Sequence, residues 1–240
     1  MKAGLIAAGL GERLRAHGMT LPKPLVPVAG RPLIDYVLAA VATAGLRQVA
    51  CIVNEESRGI EEHCRTQWPH LAFDFIRRTT PSSMESLFTL RPLLTGEPFV
   101  LLTVDAVFAP KLLAQFLTAA AARADAHAVL ALSTFVDDEK PLYARLAADG
   151  RISALGADAQ PRDLREAALV TAGFYVFHPA IFDEIAFSRQ AGFTALRQFL
   201  GHLLRRGYRF YGERIGKTVD VDRPEDIAVA EAFVRSDFRP

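Results

Sequence analysis

The sequence predicts an α/β fold: a mainly parallel sheet wound with helices on both faces, with an antiparallel hairpin inserted in its second half. Three observations carry this prediction. Short apolar runs bounded by turn residues alternate with longer segments of helical period as far as about residue 135. The run at 99–104, Phe-Val-Leu-Leu-Thr-Val, is almost wholly apolar, the pattern of a central strand covered on both faces. From residue 137 the rhythm changes to two short segments around Asp149-Gly150, the composition of a tight hairpin turn.

Taken in order, residues 3–8 form the first buried strand. A long loop follows, because Pro22, Pro24 and Pro27 cannot be accommodated in a helix. From 32 to 44 apolar residues fall at helical intervals, and Gly45 stops that helix. A strand at 48–53, a charged surface helix at 56–68 ended by Pro69, and a strand at 71–76 come next. Ser82-Ser83-Met84-Glu85 has the form of a capping box that opens a helix to about Leu90. The central strand is followed by an alanine-rich helix at 110–124 and a strand at 126–135. The hairpin pairs 143–148 with 151–155. A long strand at 167–177, a helix at 193–206, a strand at 208–214 and a helix at 224–234 complete the chain. There is no repeat, low-complexity linker or hard boundary, so residues 1–240 are expected to form one domain.

Composition excludes several classes. The chain has 240 residues, half of them apolar, enough for a sizeable core. Its 28 basic and 27 acidic residues leave a net charge of +1, which argues against a nucleic-acid polymer as partner. The six histidines show no metal-ligand spacing. Cys51 and Cys64 form no disulfide framework, so a reducing, cytoplasmic compartment is expected. The apolar N-terminal stretch is interrupted too early for a signal peptide, and no run is long enough to span a membrane.

The loop after the first strand carries the chemistry. That strand runs through Ala8 into Gly9-x-Gly11, with Arg13 two residues on and Lys23 ten residues further. Paired glycines let backbone N–H groups approach a bulky anion, the arginine offers a rigid fork of donors and the lysine a mobile charge. Such a loop suits a polyphosphate. A dinucleotide-binding turn fits poorly, because Leu14 replaces the third glycine and no acid follows a second strand at the right distance. A Walker-type loop would need Gly-Lys-Ser/Thr, which is absent. A structural turn with surface charges is the plain alternative.

Gly9-Leu10-Gly11-Glu12-Arg13-Leu14, followed by Pro22-Lys23-Pro24-Leu25-Val26-Pro27-Val28-Ala29-Gly30-Arg31-Pro32-Leu33-Ile34, resembles the opening signature of the sugar-phosphate nucleotidyltransferases. The resemblance covers about thirty residues and departs at 15–20, where many members have Pro-Leu-Thr. It implies a Rossmann-like, GT-A-like arrangement, with the nucleotide held by residues to about 135 and the acceptor by the rest. It implies transfer of a nucleotidyl group from an NTP to a phosphorylated small molecule, with release of pyrophosphate, and Mg2+ as cofactor. Arg13 and Lys23 would be the catalytic cations. Ala8, Gly9 and Gly11 would bind nucleotide beside them. No membrane partner is expected, and homo-oligomerisation is left open.

Magnesium takes oxygen ligands, commonly one or two carboxylates with phosphates and waters. Asp105 stands at the carboxyl end of the central strand, where open α/β sheets place their ligands. A solvated turn or helix cap is the alternative for it. Val219-Asp220-Val221-Asp222-Arg223-Pro224-Glu225-Asp226 resembles the family's closing segment, and strand alternation puts Asp220 and Asp222 on one face. Either could be the second metal ligand; Asp222 is preferred, although it could equally cap the helix that begins at Pro224. Glu225 and Asp226 read as first-turn acids that complement the helix dipole.

The acceptor side is less defined. The strand Ala172-Gly173-Phe174-Tyr175-Val176-Phe177 matches the family, but the preceding Ala157-Asp158-Ala159-Gln160-Pro161 lacks the lysine of the usual Glu-Lys-Pro. Gly173 and Lys217 are the acceptor candidates, with an exposed strand-edge lysine the alternative for Lys217. Lys140 reads as a solvated loop residue. Where the family commonly has a Gly-Thr pair near the base, this chain has Ser82 and Ser83, which could meet base or ribose or simply cap a helix. Two rivals to the transferase follow: a catalytically silent nucleotide sensor, favoured by these departures, and a glycosyltransferase of related fold. The latter would need Asp-x-Asp at the central strand end, where Val107 stands two residues after Asp105.

Overall fold

The computed structural model describes residues 1–135, 141–161 and 167–238. Its elements in order are β1 (Lys2–Ala7), α1 (Glu12–Ala16), β2 (Pro27–Val28), β3 (Arg31–Pro32), α2 (Leu33–Thr43), β4 (Gln48–Val53), α3 (Arg58–Gln67) and β5 (Ala72–Arg77). Then come α4 (Ser83–Leu90), β6 (Phe99–Thr103), β7 (Ala106–Val107), α5 (Lys111–Ala121), β8 (Ala128–Ser133), β9 (Ala144–Leu146) and β10 (Ile152–Leu155). The chain closes with β11 (Val170–Phe177), α6 (Ile185–Gln190), α7 (Leu196–Arg205), β12 (Phe210–Arg214), β13 (Val219–Asp220) and α8 (Pro224–Asp237).

A seven-stranded sheet, ordered β12-β8-β11-β6-β1-β4-β5, organises the molecule. All neighbours pair parallel except at β11, which runs antiparallel to both β6 and β8. The apolar cores of β1, β4 and β6 are buried because both faces are covered, as a parallel sheet requires. One face packs on α2, α3 and α5 through Ile34, Val37, Ile60 and Phe116; the other packs on α4 and α7 through Leu87, Phe88, Phe199 and Leu203. Cys51 and Cys64 are free and buried in the first of these cores. The β9–β10 hairpin pairs antiparallel as its sequence predicts. No helix among the described residues is long and apolar enough to cross a membrane.

Three details correct the sequence expectations. The loop after β1 contains a short helix, α1, because Gly11 at φ 63° turns the backbone into it. The box at Ser82 is only half formed: the Ser82 hydroxyl accepts from the Glu85 N–H at 3.3 Å, but the Glu85 carboxylate pairs with Arg189 instead of reaching back. The stretch between β11 and α7 holds α6, whose short period the sequence reading passed over. Lys140 lies outside the described residues.

A third, smaller apolar cluster lies away from the two faces. It joins Leu14, Val26 and Val28 of the first loop to Val107 of β7, Val219 and Val221 beside β13, and Ala230 and Phe233 of α8. Burying these aliphatic groups together fixes the loop and the C-terminal segment against the end of β6. Within the main core, Phe174 is fully buried, with ring centroids 4.9 Å from Phe108 and 5.2 Å from Phe116. Phe174→Ala is expected to lower stability by about 3–5 kcal/mol, read from urea unfolding followed by circular dichroism.

Candidate functional site

The carboxyl ends of β1 and β6 open into a cleft of about 430 Å³. Ala8, Gly9, Gly11, Arg13, Lys23, Ser82, Ser83, Asp105 and Asp222 all line it, so nine of the sequence-predicted residues share one wall system. Gly11 is needed twice over. Its positive φ suits glycine, and a Cβ there would stand 3.0 Å from Cβ of Lys23, whose stem passes directly beneath.

Two distant segments meet here through backbone pairing. β13 runs antiparallel to β7, with Asp220 opposite Ala106, and the Val221 N–H donates to the Asp105 carbonyl at 2.9 Å. Asp222 is thereby carried to the end of β6, and its carboxylate is free of helix capping. Asp226 takes that role: one of its carboxylate oxygens accepts from the backbone N–H of Asp222 at 2.8 Å and of Arg223 at 2.7 Å. The alternative reading, in which Asp222 caps the last helix, does not hold in this geometry.

Lys23 sits between the two acids. Its Nζ donates to Oδ1 of Asp222 at 2.5 Å and to Oδ2 of Asp105 at 3.1 Å, and its side chain is only 10% exposed. Arg13 reaches Oδ2 of Asp222 at 3.4 Å. Burial pulls the Lys23 ammonium toward the neutral form, but the Asp105 and Asp222 carboxylates outweigh it and hold its pKa above the ordinary lysine value. Burial likewise pushes Asp105 up, while Lys23 and the Thr103 hydroxyl pull it down and leave it below the usual carboxylate range. Among the described residues no group of three or more His, Cys, Asp or Glu side chains could hold a metal. Two carboxylates within reach of one ammonium nonetheless suit a hard divalent ion that completes its shell with phosphate oxygens and water.

A second cleft of about 390 Å³ adjoins the first and shares Arg13, Ser83, Thr103, Asp105 and Asp222 with it. Gly173 and Asp220 line this one. Gly173 lies where the β11–β8 register shifts, at φ 81°, and a Cβ would come within 3.0 Å of Thr103 Oγ1. Thr171, Tyr175 and Arg197 also line it and were not singled out from the sequence. Alternation along β11 could have marked Thr171 and Tyr175 as sharing Gly173's face; nothing local marked Arg197. Burial, with the Asp220 and Asp105 charges, pushes the Tyr175 phenol up to about 12. Lys217 lines neither cleft. Its ammonium lies over the rings of Phe135, at 4.2 Å, and Phe233, at 5.2 Å, on the exposed side of the small apolar cluster.

Residues 3–206 match the family model described as MobA-like NTP transferase domain. Among curated relatives, the CMP-5'-(3-aminopropyl)phosphonate synthase of Streptomyces rubellomurinus is 29% identical over 88% of this chain and 32% of its own length. The low-salt glycan biosynthesis nucleotidyltransferase of Haloferax volcanii is 26% identical over 99% of this chain and 67% of its own. The chain thus spans about a third of the first relative's length and two thirds of the other's. Among solved structures, the inositol-1-phosphate CTP transferase of T. maritima superposes with a TM-score of 0.78 at 19% identity, covering 98% of this chain and 96% of that one. An apo UDP-glucose pyrophosphorylase gives 0.81 at 18% identity over the whole of both chains. These two likenesses establish the fold.

Two predictions follow from the ion cluster. A depressed Asp105 pKa contributes stability above the unfolded carboxylate value and loses it as pH falls through the folded value; the raised Lys23 keeps its share until pH exceeds the unfolded lysine value. Lys23→Met removes that pairing and should shrink the stability lost as pH falls below about 4, measured by urea unfolding at each pH. Asp226→Ala should cost about 1 kcal/mol, from loss of the helix cap, in the same assay.

Proposed function

The chain belongs to the MobA-like NTP transferase domain family, and we propose that it joins a nucleoside monophosphate, taken from an NTP, to a small molecule bearing a phosphate or phosphonate, releasing pyrophosphate. The observation that carries this is the meeting of Arg13, Lys23, Asp105 and Asp222 at the junction of two clefts. One cleft would take the NTP, with Gly9 and Gly11 presenting backbone to the triphosphate and Ser82 and Ser83 facing base or ribose. The other would take the acceptor, with Gly173 and Asp220 in its wall. The relatives' names support the acceptor class: one makes a CMP-phosphonate, and others act on mannose 1-phosphate or N-acetylmuramate 1-phosphate.

In the proposed reaction an acceptor oxygen forms a bond to the α-phosphorus in line with the leaving group. The bond to the bridging α–β oxygen breaks, and its electron pair departs with pyrophosphate. No protein nucleophile is required, because the acceptor oxygen is already anionic. The chain's part is positioning and charge neutralisation. Arg13 holds the triphosphate with a rigid fork of donors. Lys23 changes partners, its ammonium leaving the carboxylates for phosphate oxygens as these fill the cleft. Asp105 and Asp222 would hold Mg2+, which when bound offsets charge at the α-phosphate; Asp220, in the acceptor wall, is the alternative ligand to Asp222.

The test is pyrophosphate release from each NTP with Mg2+ and a panel of glucose 1-phosphate, mannose 1-phosphate, inositol 1-phosphate, phosphocholine and 2-aminoethylphosphonate. Turnover with at least one pair is expected. Asp105→Asn, Asp222→Asn and Arg13→Ala should each lower kcat on the order of a hundred- to a thousand-fold in folded protein. An NTP-binding protein silent across the panel would instead be a nucleotide sensor.

A further inference from the structure

The two edges of the main sheet are finished differently. At β12 the hairpin covers the edge: the Gly212 N–H donates to the Gly150 carbonyl at 3.0 Å, and Arg151 bridges to Tyr211. At β5 no further strand pairs among the described residues. Residues 136–140 and 162–166 join segments at β8, β9, β10 and β11, on the far side of β6 from this edge. The β4–β5 ladder runs from Ala72 to Arg77 without a bulge, and the Arg78 N–H extends it to the Val53 carbonyl at 2.8 Å. In a parallel ladder alternate residues turn their backbone groups to the neighbouring strand. Ala72 and Arg78 turn theirs to β4, which leaves the N–H and C=O groups of Phe73, Phe75 and Arg77 on the open edge.

The side chains of this edge are not those of a strand that only repels. β5 has no proline, glycine or bulge, devices that commonly keep an edge from pairing. Phe73, Phe75 and Arg77 turn toward α3, where Arg77 pairs with Glu61 at 2.7 and 3.0 Å. Asp74, Ile76 and Arg78 share the other face. Asp74 and Arg78 are exposed and of opposite sign, and neither makes an ion pair among the described residues. Within one chain they cannot meet, because the strand carries them about 13 Å apart.

A two-fold axis perpendicular to the sheet brings the β5 of a second copy alongside, antiparallel, with each residue opposite one on the same face. Centred on Asp74, that pairing sets two acids together; centred on Phe75, it sets Asp74 against Ile76. Centred on Ile76, it sets Asp74 of each chain against Arg78 of the other. These are non-hydrogen-bonded positions, where side chains approach most closely, while Phe75 and Arg77 exchange the backbone bonds. Only this register pairs both exposed charges. We infer that the open edge is a self-association surface: two copies join by antiparallel β5–β5 pairing about Ile76, with two reciprocal Asp74–Arg78 ion pairs. The inference stands apart from the proposed reaction, since none of these residues lines the first two clefts.

The test is sedimentation equilibrium of the full chain over about a hundredfold range of concentration. A dimer is expected, with a mass about twice the 26.3 kDa of one chain. Asp74→Arg and Arg78→Asp each turn two attractions into two repulsions and should raise the dissociation constant about tenfold or more. The double variant Asp74→Arg/Arg78→Asp reverses both signs and should return it to within about twofold of the wild type. Both positions are exposed, so the variants keep the fold, which circular dichroism verifies. Ile76→Cys reports the register, because the introduced thiols meet on the axis at a spacing a disulfide can bridge. Oxidised Ile76→Cys protein should run as a dimer on a non-reducing gel and Asp74→Cys protein should not; Cys51 and Cys64 are buried and stay silent. A wild type that stays monomeric throughout the range, a dimer that neither charge reversal weakens, a double variant that stays dissociated, or cross-linking through Asp74→Cys in place of Ile76→Cys overturns the inference.

Discussion

A single ammonium between two carboxylates is the constraint on which this site depends. Lys23 is nine-tenths buried, and a lysine so placed would lose its charge unless carboxylates faced it. Asp105 and Asp222 supply them from positions more than a hundred residues apart in the chain. The pairing also answers the converse difficulty, since two carboxylates brought to one strand end would repel if left alone. With Arg13 beside Asp222, two cations balance the two carboxylates, and the same geometry leaves the site ready to trade one cation for another. Buried ion pairs seldom add much net stability, so their value here lies in holding charged groups together at one place.

The packing explains why those groups meet. The small cluster of Leu14, Val26, Val28, Val107, Val219 and Val221 has no part in either face of the main sheet. It clamps the first loop to the C-terminal segment, and the β7–β13 pairing sets the register between Asp105 and Asp222. Asp226 completes the arrangement by taking over the backbone N–H groups at the start of α8, which leaves the Asp222 side chain to face Lys23. Lys217 covers this cluster from outside with its ammonium over two rings, a contact of packing rather than of the clefts.

How far the sequence discloses this depends on how local each signal is. The convergence of these residues on the first cleft was legible because its determinants are contiguous: a strand, two glycines, Arg13 and Lys23 lie within one stretch, and Asp105 marks a strand end by itself. The winding of the sheet was legible for the same reason, since alternating short apolar runs and helical periods are properties of a few residues at a time. The antiparallel course of β11 was not, because strand direction is decided by partners far away. Asp220 and Asp222 could not be told apart from spacing alone; alternation puts both on one face, and only the tertiary placement of Lys23, which meets Asp222, separates them. Arg197 carried no local mark at all. It matters through the cleft that β11, the hairpin and α7 enclose between them.

The two ends of the site therefore answer to different physical demands. At the junction every candidate group is charged and paired, so a change in one partner leaves another exposed to an uncompensated neighbour. Toward α7 and the hairpin the described walls are a mixture of aromatic, amide and small residues with two arginines. Under the proposed reaction this arrangement would divide the work, with charge handling held by the buried network and acceptor selection falling to the adjoining cleft. Arg13, Thr103 and Asp105, which line both of the first two clefts, are the points where the demands meet, and under the proposed reaction substitutions there would alter acceptor binding and the centre of charge together.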